Sequence, residues 1–543
     1  MLPGFRKRVF KAFAFWSILL TLPSWAPADA WAASSGRQLF NIADYGANKD
    51  GASPATDAFR QAIQAAKAAG GGTIYVPPGR YTSGPIELFS NMTLDIDAGA
   101  TIAFPVAPLP FTKTRYLGVD ALAPVPLIGG SDVENVTVTG RGTLTTGDYE
   151  EWRKAYKGAY EEYLKARQEG VPTGGESANA NGPHWDRLLK ALEAHQPVSE
   201  ADYREAAAEL RPSVLCFTNA RNVLVEDVRF KGAPAFVVHL LYSENATVRN
   251  VKIEAYPGPH ANGIVVDSSR FVRIADDYID TGDDGIVIKS GKDADGLRVN
   301  RPSEHITITN CTVYHAHGAV VIGSETSGSI RNVVASNITA VDTENGIRIK
   351  SRRGRGGVVE DVRFDNWTME NVGVGIVVTS YYIMGGEVAT QEEPVSRRTP
   401  VYRNIAVSNV TINGATKVID IDGLAEMPIT ALRLTDIIGS GKVGLTARHT
   451  DALELHHVQL NADSGPVFAI ETATNLELDG VTTRKPIAGS PVLRLTQAPG
   501  AVLRNNRAFP GTETFLSAGP GELKSLHFEG NVLDNAKTPT EER

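Results

Sequence analysis

Four short clusters of polar residues between positions 257 and 350 have side chains that could carry out chemistry. They contain His260 and Asn262, the adjacent carboxylates Asp283 and Asp284, His317, and the basic pair Arg348 and Lys350. Two adjacent carboxylates repel each other when both are ionised, which can raise the pKa of one so that it keeps a proton. A proton donor beside an ionised base is what cleavage of a glycosidic bond requires. Asp283 and Asp284 are therefore candidates for acid and base chemistry.

Each cluster also has a purely structural interpretation. The segment 282–285 reads Gly-Asp-Asp-Gly, which alone is typical of a polar turn. His317 could likewise lie in a turn and make only local hydrogen bonds there. Arg348 and Lys350 are two residues apart on a predicted strand, so they point to one side and could hold a carboxylate. They could equally be a solvated pair. The spacing favours chemistry, because successive clusters lie 23 to 34 residues apart.

The elements that would position these clusters belong to a repeat. A short unit of the form Asn-Val-x-Val, followed by a second short strand, recurs between Asn222 and Asn475 at steps of 21 to 29 residues, with two longer steps of 34 and 43. The units are β-branched and too short for helical repeats, no leucine ladder recurs, and a propeller blade needs about 40 residues. We predict an all-β fold, a right-handed parallel β-helix (solenoid), in which equivalent positions stack about 4.8 Å apart. The four clusters would then form one patch.

Two segments depart from this repeat. Residues 56–69 carry an apolar stripe and end at three glycines, which predicts a helix that caps the N-terminal end of the solenoid. Residues 149–210 lack the repeat and have apolar residues at helical spacing, with Ser199 and Asp202 arranged as a capping box. We predict a helical insertion packed on the solenoid, so that residues 34–543 form a single domain.

The N-terminal residues 1–33 read as a secretory signal. A basic start precedes an apolar run at residues 12–22, and small residues around Ala30 offer a cleavage site. The alternative, a membrane anchor, is disfavoured because the run is shorter than the roughly 20 residues that a span needs. We predict a secreted or periplasmic mature protein that is not associated with a membrane.

Composition narrows the class further. The chain has 543 residues, of which 42% are hydrophobic and 21% are charged, so it is neither disordered nor fibrous. Its formal net charge of −8 argues against a general nucleic-acid binder. Cys216 and Cys311 could pair in an oxidising compartment, or they could be two buried free thiols. We expect a monomer that has no nucleic-acid partner.

Several motifs in order resemble one known family over nearly the whole mature chain. They are Asp44-Tyr45-Gly46-Ala47, the segment 282–296, Val321-Ile322-Gly323-Ser324-Glu325, and Arg348-Ile349-Lys350. The sequence is similar to the polygalacturonases of glycoside hydrolase family 28, which fold as right-handed parallel β-helices, and especially to their bacterial exo-acting branch. The resemblance implies a pectic polysaccharide or oligogalacturonide as substrate, in the degradation of plant cell-wall pectin.

The resemblance also implies roles for individual residues. Asp283 would be the general acid, Asp284 would help to activate water, and His317 would tune the acid or hold its hydrogen bonds. The substrate-binding residues would be His260, Asn262, Lys289, Arg348 and Lys350, the last two binding the galacturonate carboxylate. The resemblance also implies inversion at the anomeric carbon without a covalent intermediate and no need for a metal, so we expect no metal and no cofactor.

One position departs from the family pattern. The family's Asn-Thr-Asp motif falls on His260-Ala261-Asn262, so an amide that can orient water but cannot take its proton replaces a carboxylate. Asp284 could act alone at a reduced rate, the substrate could be an unsaturated or rhamnose-containing pectin fragment, or the protein could only bind pectin. Asp267 follows five residues later, but strand alternation places it on another face.

Two further alternatives share the predicted architecture. A pectate lyase would eliminate rather than hydrolyse and would commonly need calcium, and a structural adhesin would leave the alignment of acidic, histidine and basic residues unexplained. Exo or endo action depends on the loops that block the cleft ends, and the insertion at residues 149–210 is the candidate for such a wall.

Overall fold

The computed structural model describes residues 38–147, 183–194, 196–207, 209–258, 260–382 and 391–543. The predicted signal, residues 1–33, lies outside these residues, as does much of the predicted insertion. Within them, 35 strands join in one parallel hydrogen-bonded network that winds into a solenoid. The predicted parallel β-helix is confirmed.

Three parallel ladders form the sides of the solenoid. The first ladder contains the strands Leu39–Asn41, Gly72–Val76, Met92–Ile96, Glu134–Thr139, Arg221–Glu226, Glu244–Arg249, Arg270–Ala275, Ser303–Thr309, Glu477–Asp479, Val502–Arg504 and His527–Glu529. The second ladder contains Asp50–Pro54, Gly79–Thr82, Ala100–Ala103, Thr143–Thr145, Arg229–Lys231, Lys252–Glu254, Tyr278–Asp280 and Thr312–Tyr314. The third ladder contains Ile86–Glu87, Ile128–Ser131, Leu215–Thr218, Val238–Leu241, Ile264–Asp267, Ile286–Lys289, Val320–Ile322, Asn345–Lys350, Val374–Thr379, Leu493–Thr496, Thr514–Ala518 and Thr538–Glu542. Four longer strands, Ile330–Val341, Val358–Glu370, Val401–Asp422 and Ile429–Thr474, turn corners and pass through more than one ladder.

The interior is one continuous apolar core of stacked valine, isoleucine and leucine side chains. On the first ladder, inward residues such as Val136, Val223 and Val248 are at most 2% exposed and alternate with outward polar residues. This alternation is what one buried face per strand produces. The strands are thus held mainly by burial of the β-branched residues that define the repeat.

The repeated asparagine has its own structural reason. Asn135, Asn222 and Asn245 have φ angles between 55° and 58°, in the left-handed region that asparagine tolerates better than most residues. Their amides stack, because Asn222 Nδ2 donates to Asn135 Oδ1 at 2.9 Å and Asn245 Nδ2 donates to Asn222 Oδ1 at 2.7 Å. The asparagine therefore recurs once per coil because it adopts the same left-handed conformation in successive coils and hydrogen-bonds to its counterpart in the next coil.

Helix α1 (Thr56–Ala68) covers the N-terminal end of the solenoid and buries Phe59, Ala62 and Ile63 against its core. It ends within one residue of the predicted bound. Two short 3₁₀ turns, Ile42–Tyr45 and Leu523–Ser525, lie near the two ends of the described chain.

Helices α2 (Pro183–Glu193) and α3 (Glu200–Ala207) lie within the predicted insertion. The predicted capping box is present, since Ser199 N donates to Asp202 Oδ2 at 2.8 Å and Asp202 N donates to Ser199 Oγ at 3.2 Å. A further short helix, α4 (Asp293–Val299), follows the third-ladder strand Ile286–Lys289. Among the described residues, no helix has the length and apolar character needed to cross a membrane.

An antiparallel hairpin, Phe111–Tyr116 with Val119–Pro124, stands apart from the solenoid network. Tyr116 and Val119 of this hairpin form a second apolar cluster with Trp185 of α2 and with Val265 and Val287 on the outer face of the third ladder. The hairpin and helices therefore cover part of that face. Elsewhere, Cys216 and Cys311 are both buried and free, so they do not pair.

Candidate active site

The third ladder brings the predicted clusters together, with three of them at N-terminal strand ends and with Arg348 and Lys350 in the C-terminal half of the strand Asn345–Lys350. Parallel pairing places Ile264 beside Ile286, Ile286 beside Val320, and Val320 beside Ile347. The turns that enter these strands carry Asn262, the Asp283-Asp284 pair and His317 in adjacent coils. The stacked repeat thus converts sequence spacing into one site, as predicted.

Asp283 lies between two imidazoles. His317 Nδ1 is 3.2 Å from Asp283 Oδ1, and His260 Nδ1 is 3.6 Å from Asp283 Oδ2. The backbone fixes the same contact, because His317 N donates to the Asp283 carbonyl at 3.1 Å. On its far side, His317 Nε2 is 3.7 Å from Glu344 Oε1, a carboxylate that the sequence analysis missed.

This arrangement moves the pKa values of Asp283 and His317 apart, so that both groups are ionised. Burial would raise the pKa of Asp283, but the charge of His317 and hydrogen bonds from His260 and His317 lower it well below its ordinary value. Burial would lower the pKa of His317, but the charges of Asp283 and Glu344 raise it above its ordinary value. The resting pair is therefore a carboxylate beside an imidazolium. The expected rise in one carboxyl pKa through Asp283–Asp284 repulsion does not occur at Asp283, because the imidazoles outweigh it.

Asp284 has a different partner. Lys350 Nζ donates to Asp284 Oδ2 at 2.9 Å, and the two side chains are only 5% and 4% exposed. Burial lowers the pKa of Lys350, and the charge of Asp284 opposes that shift. Asp284 Oδ1 is buried and makes no hydrogen bond within the described residues. One carboxylate oxygen is thus fixed by the ammonium, while the other is without a partner.

Arg348 lies on the same strand as Lys350 and faces the same side, as alternation predicted. Both cations lie over the ring of Tyr382, at 5.4 Å for the guanidinium carbon and 4.9 Å for the ammonium nitrogen. Arg348 is 9% exposed, and its Nε and Nη1 have no hydrogen-bond acceptor in the part of the chain that the structure describes. Two nitrogens of a buried guanidinium are thus available to a carboxylate ligand. Tyr382 was not identified from the sequence.

Asn262 lies beside Asp284 in register and is 3% exposed. Its Nδ2 donates weakly to the His260 carbonyl at 3.4 Å, and its Oδ1 is buried with no partner among the described side chains. Asp267 does not approach this position, since Ser268 Oγ donates to it at 3.0 Å farther along the ladder. The amide therefore stands where the resemblance places a second water-activating carboxylate.

Lys289 is not brought into the Asp283 cluster. Its Nζ donates to Glu325 Oε1 at 3.3 Å and lies 5.1 Å from the centre of the Phe236 ring. Burial would raise the pKa of Glu325, but Lys289, Arg355 and Lys292 lower it to about 2. Lys289 thus belongs to a buried charge network next to the site, and its direct contact with substrate remains a prediction.

An aromatic cluster of Phe236, Tyr116 and Trp185 lies beside Asn262, in the preceding coil. Phe236 precedes the strand Val238–Leu241, and the neighbouring Val237 N donates to the Asn262 carbonyl at 2.8 Å. The Phe236 ring stacks on Tyr116 at 6.4 Å, and Tyr116 meets Trp185 edge to face at 5.7 Å. Trp185 lies within residues 149–210, whose apolar spacing predicts helices, but Phe236 and Tyr116 were not identified from the sequence because the contact joins three distant segments.

The same side chains could hold a cation. Ligand atoms of Asp283, Asp284 and His317 lie within 4.8 Å of one another, as do those of His456, Glu477 and Asp479 on the C-terminal coils. At the first group, the Lys350 ammonium already lies beside the Asp284 carboxylate, and the His317 imidazolium lies beside the Asp283 carboxylate. The electrostatic need for a metal there is correspondingly small.

A buried carboxylate pair beside two cations provides what hydrolysis of a glycosidic bond in an acidic sugar requires. Residues 128–458 match the family described as glycosyl hydrolases family 28, and residues 39–102 match the one described as rhamnogalacturonase A/epimerase, pectate lyase-like. The chain belongs to glycosyl hydrolases family 28. It is accordingly an enzyme that hydrolyses O-glycosyl bonds.

Individual relatives agree with this assignment. The chain is 26% identical over 412 residues to a probable polygalacturonase of Vitis vinifera, covering 73% of each chain. It is 27% identical over 391 residues to an exo-poly-alpha-D-galacturonosidase of Dickeya chrysanthemi, covering 70% of this chain and 63% of the relative. Its fold matches the hyperthermoactive exopolygalacturonase of Thermotoga maritima with a TM-score of 0.65 and 33% identity, covering 78% and 92% of the two chains.

Proposed function

We infer that this enzyme hydrolyses α-1,4-galacturonosyl linkages at the ends of pectic chains, with inversion at the anomeric carbon. The observation that carries this proposal is the buried set in which Asp283 contacts His317 while Asp284 contacts Lys350. It combines a carboxyl group for proton transfer, a second carboxylate, and cations for an acidic sugar.

Asp283 acts as the general acid. In the resting state the proton of the Asp283–His317 pair lies on His317, 3.2 Å away. When substrate is bound, that proton reaches the leaving oxygen through Asp283, and His317 becomes neutral. The glycosidic bond breaks as water adds to the anomeric carbon.

Asp284 accepts the proton of that water. Its unpartnered Oδ1 and the unpartnered Oδ1 of Asn262 lie in adjacent coils and could both accept from one water molecule. Lys350 holds Asp284 in place by its 2.9 Å contact. Arg348, whose Nε and Nη1 have no acceptor among the described residues, binds the galacturonate carboxylate. A local cation is needed because a chain of net charge −8 repels a polyanion at long range.

The aromatic cluster is the basis for proposing exo action. We place a blind end of the cleft at Phe236, Tyr116 and Trp185, beside Asn262, and a blind end admits a chain end more readily than the middle of a chain. The similarity to exo-acting relatives points the same way. The predicted signal at residues 1–33 would carry the enzyme out of the cytoplasm. Polymeric pectin is found outside the cytoplasm, so export would bring the enzyme to its substrate.

Release of reducing sugar from polygalacturonate by the purified chain tests this proposal. We expect activity in the wild type and its loss in Asp283→Asn. Products with a new double bond would identify a lyase, and release from rhamnogalacturonan alone would identify a different pectic substrate.

A second candidate is a pectin-binding protein with reduced hydrolysis, and Asn262 favours it. The buried amide cannot accept a proton from water. A wild-type chain that binds polygalacturonate but releases no sugar from any pectic polymer would establish this candidate.

A further inference from the structure

A cluster of possible metal ligands on the C-terminal coils has no part in the proposed reaction. Ligand atoms of His456, Glu477 and Asp479 lie within 4.8 Å of one another. Their side chains are 23%, 29% and 22% exposed, so they are partly shielded from solvent. The cluster lies on the first ladder, in coils that follow the coil of Asp283 along the chain.

Parallel register builds this cluster from two adjacent coils. Glu454 pairs with Glu477, and His456 pairs with Asp479. The leucine that lies between the two polar residues of each strand is 0% exposed and points into the core. Alternation therefore turns all four polar side chains outward, and strands about 4.8 Å apart bring them together as a two-by-two array.

The surrounding hydrogen bonds fix the tautomer of the His456 ring. Its Nε2 lies 3.1 Å from Glu454 Oε2, and Arg433 Nε donates to the same oxygen at 2.6 Å. A carboxylate paired with a guanidinium only accepts hydrogen bonds, so Nε2 carries the proton of the neutral ring and Nδ1 carries none. A carboxylate that accepts from one ring nitrogen is the usual outer partner of a histidine that binds a metal through the other.

The unprotonated ring nitrogen lies near a carboxylate oxygen. His456 Nδ1 is 3.8 Å from Asp479 Oδ2, while Asp479 Oδ1 accepts from Asn505 Nδ2 at 2.9 Å. Two acceptor atoms are thus held near each other, at a distance too long for a direct hydrogen bond. An ion bonded to both atoms at about 2.0–2.2 Å fits between them.

The local charge also favours a cation. The three carboxylates of the cluster are matched by two arginines, Arg433 on Glu454 and Arg504, whose Nη2 is 3.5 Å from Glu477 Oε1. Among the described residues, Asp479 forms no ion pair with a lysine or an arginine. With a neutral imidazole, the cluster therefore carries an excess of one negative charge.

We propose that His456, Glu477 and Asp479 bind one divalent transition-metal ion of the Zn²⁺ class, with Glu454 and Asn505 as outer partners that orient the ligands. An imidazole with two carboxylates suits Zn²⁺ better than Ca²⁺ or Mg²⁺, which prefer oxygen ligands alone. Three protein ligands leave a fourth position for water. The ion links two coils near the C-terminal end of the solenoid, and the proposal does not depend on the proposed function.

Calorimetric titration of the chelator-treated full chain, free of any affinity tag, with Zn²⁺ alone tests the proposal. We expect one Zn²⁺ at this cluster in the wild type and binding at least about tenfold weaker in Asp479→Asn and in Glu477→Gln. His457→Gln is the matched control, because its ring is 71% exposed and pairs with Asp436 instead. Asp283→Asn should bind Zn²⁺ as the wild type does.

Thermal melting gives a second readout. Zn²⁺ should raise the melting temperature of the wild type but not that of Asp479→Asn, because a ligand that binds only the folded state stabilises it. If Asp479→Asn does not fold, Glu477→Gln carries both tests. The proposal would be overturned by a wild type that binds no Zn²⁺, by Zn²⁺ binding that is lost in Asp283→Asn, by binding unaffected in the folded cluster variants, or by tighter binding of Ca²⁺ or Mg²⁺.

Discussion

His317 Nδ1 lies 3.2 Å from Asp283 Oδ1, and this contact holds the mobile proton of the site on the imidazole rather than on the carboxyl group. Glu344 stabilises the same imidazolium from the other side, with its Oε1 3.7 Å from His317 Nε2. The acid strength of the site is therefore set by three groups from neighbouring coils.

The first prediction concerns pH. The folded pKa of His317 is raised, so the ion pair is fully present below the ordinary histidine pKa of about 6.5 and is lost as pH rises through the raised value. The folded pKa of Asp283 is lowered, so its contribution is lost only as pH falls through that lowered value. We expect kcat/KM to fall on an alkaline limb above about pH 6.5.

Glu344→Gln tests the origin of that limb. Removing its charge should lower the pKa of His317 and move the alkaline limb of kcat/KM to lower pH. Glu360→Gln is the matched control, because Glu360 pairs with Arg403 on the first ladder. A limb that stays in place in Glu344→Gln would show that another group controls it.

The second prediction concerns the acid itself. Asp283→Asn should lower kcat by about 10²–10⁴-fold, the usual contribution of a positioned general acid. Polygalacturonate binding should persist, since Arg348 and Lys350 are retained, and a binding isotherm beside the rate assay checks this. Retention of more than a tenth of the wild-type kcat would exclude Asp283 as the acid.

The third prediction concerns Asn262. Asn262→Asp should raise kcat, because a carboxylate can take the proton of water and an amide cannot. The variant should also be less stable, since a second buried carboxylate would stand beside Asp284. Steady-state rates and thermal melting measure the two effects, with Asn262→Ala as the control that adds no base. An unchanged or lower rate in a folded Asn262→Asp would mean that the site is adapted to the amide.

The fourth prediction concerns Lys350. Lys350→Met leaves Asp284 buried and unpaired, and breaking such a pair typically costs about 3–5 kcal/mol of unfolding free energy. Lys417→Met is the control, because its 3.0 Å contact with Asp420 is about one third exposed and such pairs contribute about 0–1 kcal/mol. Denaturant unfolding measures the loss of unfolding free energy in each variant. Equal losses would show that the buried Lys350–Asp284 pair stabilises the fold no more than the exposed Lys417–Asp420 pair does.

Much of the fold and site follows from the sequence because both depend on one period. The spacing of His260, Asp283, His317 and Arg348 matches the coil length, so stacking alone predicts that they meet. Alternation likewise predicts that Arg348 and Lys350 share a face. These features need only local geometry and the repeat.

The remaining features of the site depend on contacts between segments that the sequence repeat does not relate. Phe236 and Tyr116 are 120 residues apart in sequence, and nothing in either motif indicates that the hairpin folds over the third ladder. The resemblance predicts that Lys289 binds substrate, yet its ammonium group pairs with the Glu325 carboxylate. The charge state of Asp283 also escaped prediction, because stacking indicates that His260 and His317 come near Asp283 but not that both rings approach its carboxylate to within 3.6 Å.

The central claim is most directly tested by the time course of products from a galacturonate hexamer, incubated with the full chain in the presence of a chelator. Hydrolysis at a blind-ended site predicts galacturonate and the pentamer as the first products, with undiminished rate and no new double bond. Internal fragments as first products would contradict the blind end, and unsaturated products or a rate lost to the chelator would contradict metal-independent hydrolysis.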